Sequence, residues 1–231
     1  MIYWKTKYIY KNYKIDCIIK NNLKNFKLNI NNINFISDYL DLWELSEKNI
    51  KKNTLPTINY KKNHILLLYE LIEITIPTKV FSLKENLLIK SEIKIKLSQQ
   101  INNNNIKIIC KEFLLKINNE IFKASELSEF FDISLNSICK QISGKYYLYN
   151  CFGCIYSDYS PYGNGNIGNM ICFEKYKEKY LIVNGKYKSE NYITIWDLFD
   201  NKDLKMCQET QICKKFKPRI NCIGGYRGTI Y

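Results

Sequence analysis

The chain has 231 residues, of which 46% are hydrophobic and 25% charged, and its formal net charge is +13. It is long enough for one compound domain or two small ones and too apolar for a disordered chain. The positive charge comes from lysines scattered beside Asn and Ile along the whole length. That reads as solvated surface rather than the concentrated Arg and aromatic face of a nucleic-acid binder.

The start, Met1-Ile-Tyr-Trp-Lys-Thr-Lys-Tyr8, carries charge but no apolar run or small-residue cleavage site follows it. Short strands with tight turns are expected over residues 1–37, at Lys11–Asn12 and Asn21–Asn22, because Asn tolerates left-handed turn conformations. Residues 38–48 fit either a short helix or a loop. Ile65 to Ile76 is rich in β-branched and aliphatic residues, and Pro77 is expected to end that strand. The surrounding apolar run, His64 to Pro77, contains Glu70 and Glu73 and is too short to span a bilayer. The expected setting is therefore the cytoplasm, with no membrane partner, where thiols stay reduced.

Glu92 to Leu97 alternates apolar and charged residues with the period of a half-buried strand. Asn102–Asn105 is the next turn, Ile106–Ile117 the next strand, and Asn118–Asn119 turns back toward Ile121–Phe122. From Ser125 to Ile142 the apolar residues Leu127, Phe130, Phe131, Leu135, Ile138, Cys139 and Ile142 follow helical spacing. Ser125 is the expected N-cap, Asp132 and Ser134 are candidate breaks, and Gly144 the C-terminal stop.

The last third differs in composition. All nine glycines follow residue 143, six of the nine cysteines follow residue 150, and the two arginines are Arg219 and Arg227. An odd number of cysteines in a reducing compartment points to metal or core rather than a complete disulfide framework. Cys151-Phe-Gly-Cys154 follows an expected strand, Lys145–Asn150, and can present both sulfurs to one tetrahedral ion, with Gly153 allowing the turn. Cys172 follows a glycine-rich loop that can return to this pair, and Cys213 lies at the exit of an expected strand, Cys207–Cys213. The expected zinc ligands are thus Cys151, Cys154, Cys172 and Cys213. Cys207 then reads as a buried strand thiol, Cys222 as a turn residue, and the single histidine, His64, as a packed or edge residue. A closed four-thiolate site is structural and leaves no position for metal catalysis.

Between the cysteines runs Ser157-Asp-Tyr-Ser-Pro-Tyr-Gly-Asn-Gly-Asn-Ile-Gly168. It reads either as a recognition loop, with Asp158, Tyr159 and Tyr162 as contacts, or as a tight loop wrapped on the metal. No Gly-Lys-Ser/Thr follows it, so it is not a phosphate loop. Near the end, Glu209 can accept a two-point salt bridge from Arg219 or Arg227. Asp158, Glu209 and Arg227 are the only set from which an enzyme could be built, and no nucleophile accompanies them.

These segments, from Cys151-Phe-Gly-Cys through Ser157-Asp-Tyr-Ser-Pro-Tyr-Gly, Met170-Ile-Cys-Phe, Lys177-Glu-Lys-Tyr-Leu, Gln208-Glu-Thr-Gln-Ile-Cys213 and Gly225-Tyr-Arg-Gly228, resemble an uncharacterised bacterial family of the Bacteroidetes type. The resemblance covers residues 145–228, with the first part matched only loosely. It implies cysteines at positions 151, 154, 172 and 213, brings no activity, and associates such proteins with immunity or accessory roles in toxin systems. The expected fold is mainly β. An antiparallel sandwich-like scaffold spans 1–122, a helical connector 125–142, and a four-cysteine β module with a structural zinc ion 145–231. The leading function is non-enzymatic binding of a protein partner through Asp158, Tyr159, Tyr162, Glu209, Arg219 and Arg227. The alternatives are a zinc-stabilised nucleic-acid binder and an enzyme using Asp158, Glu209 and Arg227.

Overall fold

The computed structural model describes residues 1–46, 55–60, 64–102, 105–162, 166–168, 170–185, 190–199 and 203–220. The chain is mainly β and antiparallel. A meander runs β1 (Ile2–Tyr10), β2 (Tyr13–Asn21), β3 (Phe26–Ile30), β4 (Ile33–Ser37) and β5 (Glu44–Leu45), and is closed by the hairpin of β6 (Thr57–Tyr60) and β7 (His64–Leu67). On the other edge of β1 a second meander runs β8 (Leu71–Ser82), β9 (Leu87–Asn102), β10 (Asn105–Ile117) and β11 (Glu120–Lys123). Helix α1 (Phe131–Ile142) follows, and β12 (Tyr146–Leu148) then joins β8, giving a twelve-stranded sheet.

Alternation along the strands explains why this sheet forms. In β8 the residues Ile72, Ile74, Ile76 and Val80 point inward and are buried, and in β9 Ile93, Ile95 and Leu97 do the same. Side chains from both meanders, including Trp4, Phe35 and Trp43 with Ile74, Ile95 and Leu115, share one core with Leu135 and Ile138 of α1. A sheet this wide has to twist and curl, which brings its two wings onto a common interior as the sandwich-like expectation required.

The turns are supplied by residues that tolerate positive φ. Lys11 (φ 49°) turns β1 into β2, Asn31 and Asn32 (50° and 65°) turn β3 into β4, and Asn118 (50°) turns β10 into β11. Leu23 (71°) sits in the turn after Asn21, whose carboxamide oxygen accepts the Leu23 N–H at 2.7 Å. Two residues of the expected Asn102–Asn105 turn lie outside the described set, but Asn102 and Asn105 pair across it.

Pro77 does not end its strand. It lies inside β8, opposite Glu92 of β9. On the other edge of β8, β1 pairs only as far as Thr75 and β12 begins only at Val80, so Pro77 meets no ladder that needs its missing N–H. The helix is also shorter than expected. It starts at Phe131, with Phe130 at the N-cap, and runs unbroken through Asp132 and Ser134. Ser125 is not its cap: its N–H and hydroxyl both engage Ser137 Oγ at 2.8 Å, and Ser134 Oγ donates to Glu126 O at 3.1 Å. These bonds lay residues 125–130 along the helix instead of extending it. Gly144 stops α1 as expected, at φ +79°, with Lys145 N–H donating to Ile142 O at 3.0 Å.

Beyond β12 the chain forms a three-stranded sheet of β13 (Ser157–Tyr159), β14 (Met170–Cys172) and β15 (Lys205–Cys207). Between β14 and β15 lie two five-residue helices, α2 (Lys177–Leu181) and α3 (Ile195–Phe199). They enclose a second small core of Ile171, Phe173, Tyr180, Val183, Ile195 and Leu198. The expected strand Cys207–Cys213 is replaced by β15 ending at Cys207. The chain then turns, with Gln211 N–H donating to Gln208 O at 3.0 Å. Asn21 Nδ2 donates to Gln208 Oε1 at 2.6 Å and ties this segment to the large sheet.

Candidate metal centre

Backbone pairing gathers the C-terminal cysteines. Cys151 to Cys154 form a tight turn, Cys154 N–H to Cys151 O at 3.2 Å. This turn is laced to the tail by Cys151 N–H to Gln211 O (2.9 Å), Phe152 N–H to Glu209 O (3.0 Å), Ile155 N–H to Lys217 O (2.8 Å) and Arg219 N–H to Gly153 O (3.0 Å). Ser157 Oγ donates to the carbonyls of Cys151 and Cys154 and closes the turn from inside. Cys172 ends β14 opposite Ser157 on one side and Lys205 on the other, and Cys207 faces Met170. Cys213 opens a turn closed by Phe216 N–H to Cys213 O at 3.3 Å.

Lys215 N–H points to Cys213 Sγ at 3.4 Å. The backbone at Glu174 opposes the rise of the Cys172 thiol, and that at Lys217 and Tyr156 opposes the rise of Cys154. Such amides stabilise thiolate charge. Burial pushes the Cys154 thiol up to about 11, against the pull of its two amides, and Cys151 and Cys172 add to the rise. Cys172 is also raised, first by burial, then by Cys151 and Cys213. Cys207 is also held well above its ordinary value, first by the Cys151 thiol and then by burial. Five thiols thus lie within electrostatic range in one chain of neighbours. Among the described residues, no three Cys, His, Asp or Glu side chains stand as close as a bound ion requires. Cys222 lies outside the described residues. His64 is exposed on β7, where it pairs with Glu44 at 2.7 Å, away from the cysteine cluster.

Next to the turn sits a buried polar network. Arg219 is fully buried, and its fork donates to Ser157 O (2.6 Å), Ile155 O (3.1 Å), Cys154 O (3.3 Å) and the Tyr180 hydroxyl (2.5 Å). Tyr180 in turn donates to Asp158 Oδ2 at 2.7 Å, and Asp158 Oδ1 accepts Tyr159 N–H at 2.9 Å. Glu209 accepts Gly168 N–H at 2.7 Å, which holds the loop that precedes β14. Tyr180 is held well above its ordinary value, first by burial and then by Asp158, with Arg219 opposing.

Of the expected binding residues, Asp158, Tyr159, Glu209 and Arg219 are interior, and the Arg219 fork holds the carbonyls of the cysteine turn, whereas Tyr162 is 76% exposed. Arg227 lies outside the described residues. The Tyr162 ring stands edge-on to Trp196 at 4.9 Å and Phe199 at 5.1 Å, both from α3. Sequence reasoning missed Trp196, Phe199 and Tyr180. The Trp196-x-x-Phe199 spacing was the available signal for the first two.

A family model described as a family of unknown function matches residues 2–157, which takes in the large sheet, α1 and the Cys151–Cys154 pair. The match ends before Cys172, Cys207 and Cys213, so most of the C-terminal signature lies outside it. No curated protein and no solved structure matches the chain.

Proposed function

The chain belongs to DUF6304, a family of unknown function, through residues 2–157, and from that premise we propose that it is a non-enzymatic protein-binding module of the bacterial cytoplasm with a structural zinc ion. The observation that carries the binding half is the exposed Tyr162, set edge-on to Trp196 and Phe199. Rigid aromatic surface of this kind is typical of contact hot spots. The carboxylates that an enzyme would need, Asp158 and Glu209, are interior and hold backbone amides, which favours binding over catalysis. Among the described residues, no helix is long and apolar enough to cross a membrane.

The zinc half rests on the sequence pattern of Cys151, Cys154, Cys172 and Cys213 and on the Lys215 N–H aimed at Cys213 Sγ. The sulfurs close in on the ion when it binds, and a four-thiolate site fastens a segment that has little core of its own. The concrete partner is the toxin of a Bacteroidetes-type system that this protein neutralises. Immobilised wild-type protein and Tyr162→Ala are compared for capture from host extract, beside zinc content. The expected result is about one zinc per chain in both and capture weakened about tenfold in the variant, the effect of a modest hot spot. Equal capture overturns the Tyr162 surface. A second reading, nucleic-acid binding, draws on the +13 charge; binding to RNA or DNA that falls steeply with salt would favour it instead.

A further inference from the structure

In the middle of the large sheet's outer face, lysines stand opposite carboxylates: Lys7 faces Asp16 and Glu73, and Lys96 faces Glu73 and Glu112. Toward the β8–β9 turn this order breaks. Lys79 of β8 lies directly opposite Lys90 of β9, so both side chains leave the same face of the sheet. Lys116 of β10 joins them from the next row, where it lies opposite Glu92. Like charges placed opposite one another destabilise a strand pair. Among the described residues, none of these three lysines forms an ion pair. All three border a cavity of about 520 Å³, which Pro77 of β8 and Ile212 of the C-terminal segment also line.

We propose that this cavity binds a small organic phosphomonoester, with its phosphate between Lys79, Lys90 and Lys116. With only Glu92 to oppose them, the lysines leave the lining with an excess of two positive charges. A phosphomonoester carries about −1.5 to −2 at pH 7 and matches that excess, whereas each phosphodiester of a nucleic acid carries a single charge. Ammonium groups serve a phosphate as point charges. Recognition of a planar carboxylate favours the arginine fork, and among the described residues no arginine lines the cavity. Pro77 and Ile212 offer the organic group an apolar wall, and the volume falls in the range of small-molecule sites. The bound anion offsets the repulsion between Lys79 and Lys90, which the empty sheet has to bear.

The test is calorimetric titration of the full-length protein with phenyl phosphate, phenyl sulfate, inorganic phosphate and an unphosphorylated single-stranded DNA. Phenyl phosphate is expected to bind one per chain. Phenyl sulfate, of the same shape with a single charge, is expected to bind about tenfold more weakly, the loss of one charge-assisted contact. Inorganic phosphate is also weaker, for want of the apolar wall. Lys90→Glu puts opposite charges across the strand pair, so it is expected to lose phenyl phosphate binding while its urea midpoint is no lower than that of wild type. Lys116→Gln is the milder variant and is expected to lose about tenfold in affinity. Lys27→Glu makes the same exchange at another lysine pair, Lys20 opposite Lys27 of β2 and β3, and is expected to bind as wild type does. No binding of phenyl phosphate, or equal binding of phenyl sulfate, would overturn the site. An equal loss in Lys27→Glu would show that net charge alone holds the anion, and DNA that displaces phenyl phosphate would give this face to a nucleic-acid backbone instead.

Discussion

Arg219 joins the cysteine turn to the small C-terminal core. Its guanidinium donates to three carbonyls, of Cys154, Ile155 and Ser157, and through Tyr180 it reaches Asp158. Removing it leaves those carbonyls short of donors and takes away the cation that reaches the buried Asp158 carboxylate through Tyr180, a cost on the order of 3 kcal/mol. Arg219→Leu is therefore expected to lower the unfolding free energy from urea titration by that amount, and Arg219→Lys to recover only part of it, because an ammonium cannot reproduce the planar fork. An unfolding free energy within about 0.5 kcal/mol of wild type would show that water replaces the fork. The scarcity of arginine marked this residue in the sequence. Its burial could not be read there, because backbone carbonyls are partners without a residue signature.

Among the elements, α1 shows how local chemistry and tertiary context divide the work. Its apolar face, Phe131, Leu135, Ile138, Cys139 and Ile142, was plain from periodicity and is buried. Its start was misread because Ser125 offered cap chemistry that the fold uses to bond Ser137. Its end was legible because Gly144 takes a φ of +79°, with no atom within 4 Å of an added Cβ. Gly144→Ala thus tests conformation alone, free of any clash. It is expected to cost about 1 kcal/mol in urea unfolding, the strain of a left-handed alanine; no loss would mean that the turn relaxes to negative φ. In the large sheet, alternation marked Glu92–Leu97 of β9, and Ile106–Ile117 falls on β10, but the Ile65–Ile76 stretch spans two elements, β7 and β8. Helices α2 and α3 were not, because five residues do not complete two turns and show no 3.6-residue period.

At the scale of the whole molecule, the large sheet is lined by protonated groups that the fold holds neutral. Tyr8 donates its hydroxyl to Leu68 O at 2.8 Å and Tyr69 to Asp41 O at 3.0 Å, bonds that a phenolate cannot make. Burial raises both tyrosines above their ordinary value of 10.0. Burial likewise pushes the Cys110 thiol up to about 11 and the Cys17 thiol up to about 12 from 9.0. In the unfolded chain these groups titrate near their ordinary values, so above pH 9 the unfolded state binds fewer protons than the native one. Stability is therefore complete below about pH 9 and falls as pH rises through the native values, by at most about 1.4 kcal/mol per pH unit for each group. Urea midpoints are expected to be level from pH 7 to 8.5 and then to decline, steepening past 10 as the tyrosines join the thiols. In Tyr8→Phe the decline above pH 10 should be shallower, since phenylalanine has no proton to lose, even though the variant starts lower for want of the Leu68 bond. A profile that stays level to pH 11 in the wild type would mean that Tyr8 and Tyr69 ionise as readily in the sheet as in the unfolded chain. Their hydroxyls would then be open to water rather than sealed in the core that joins the two wings.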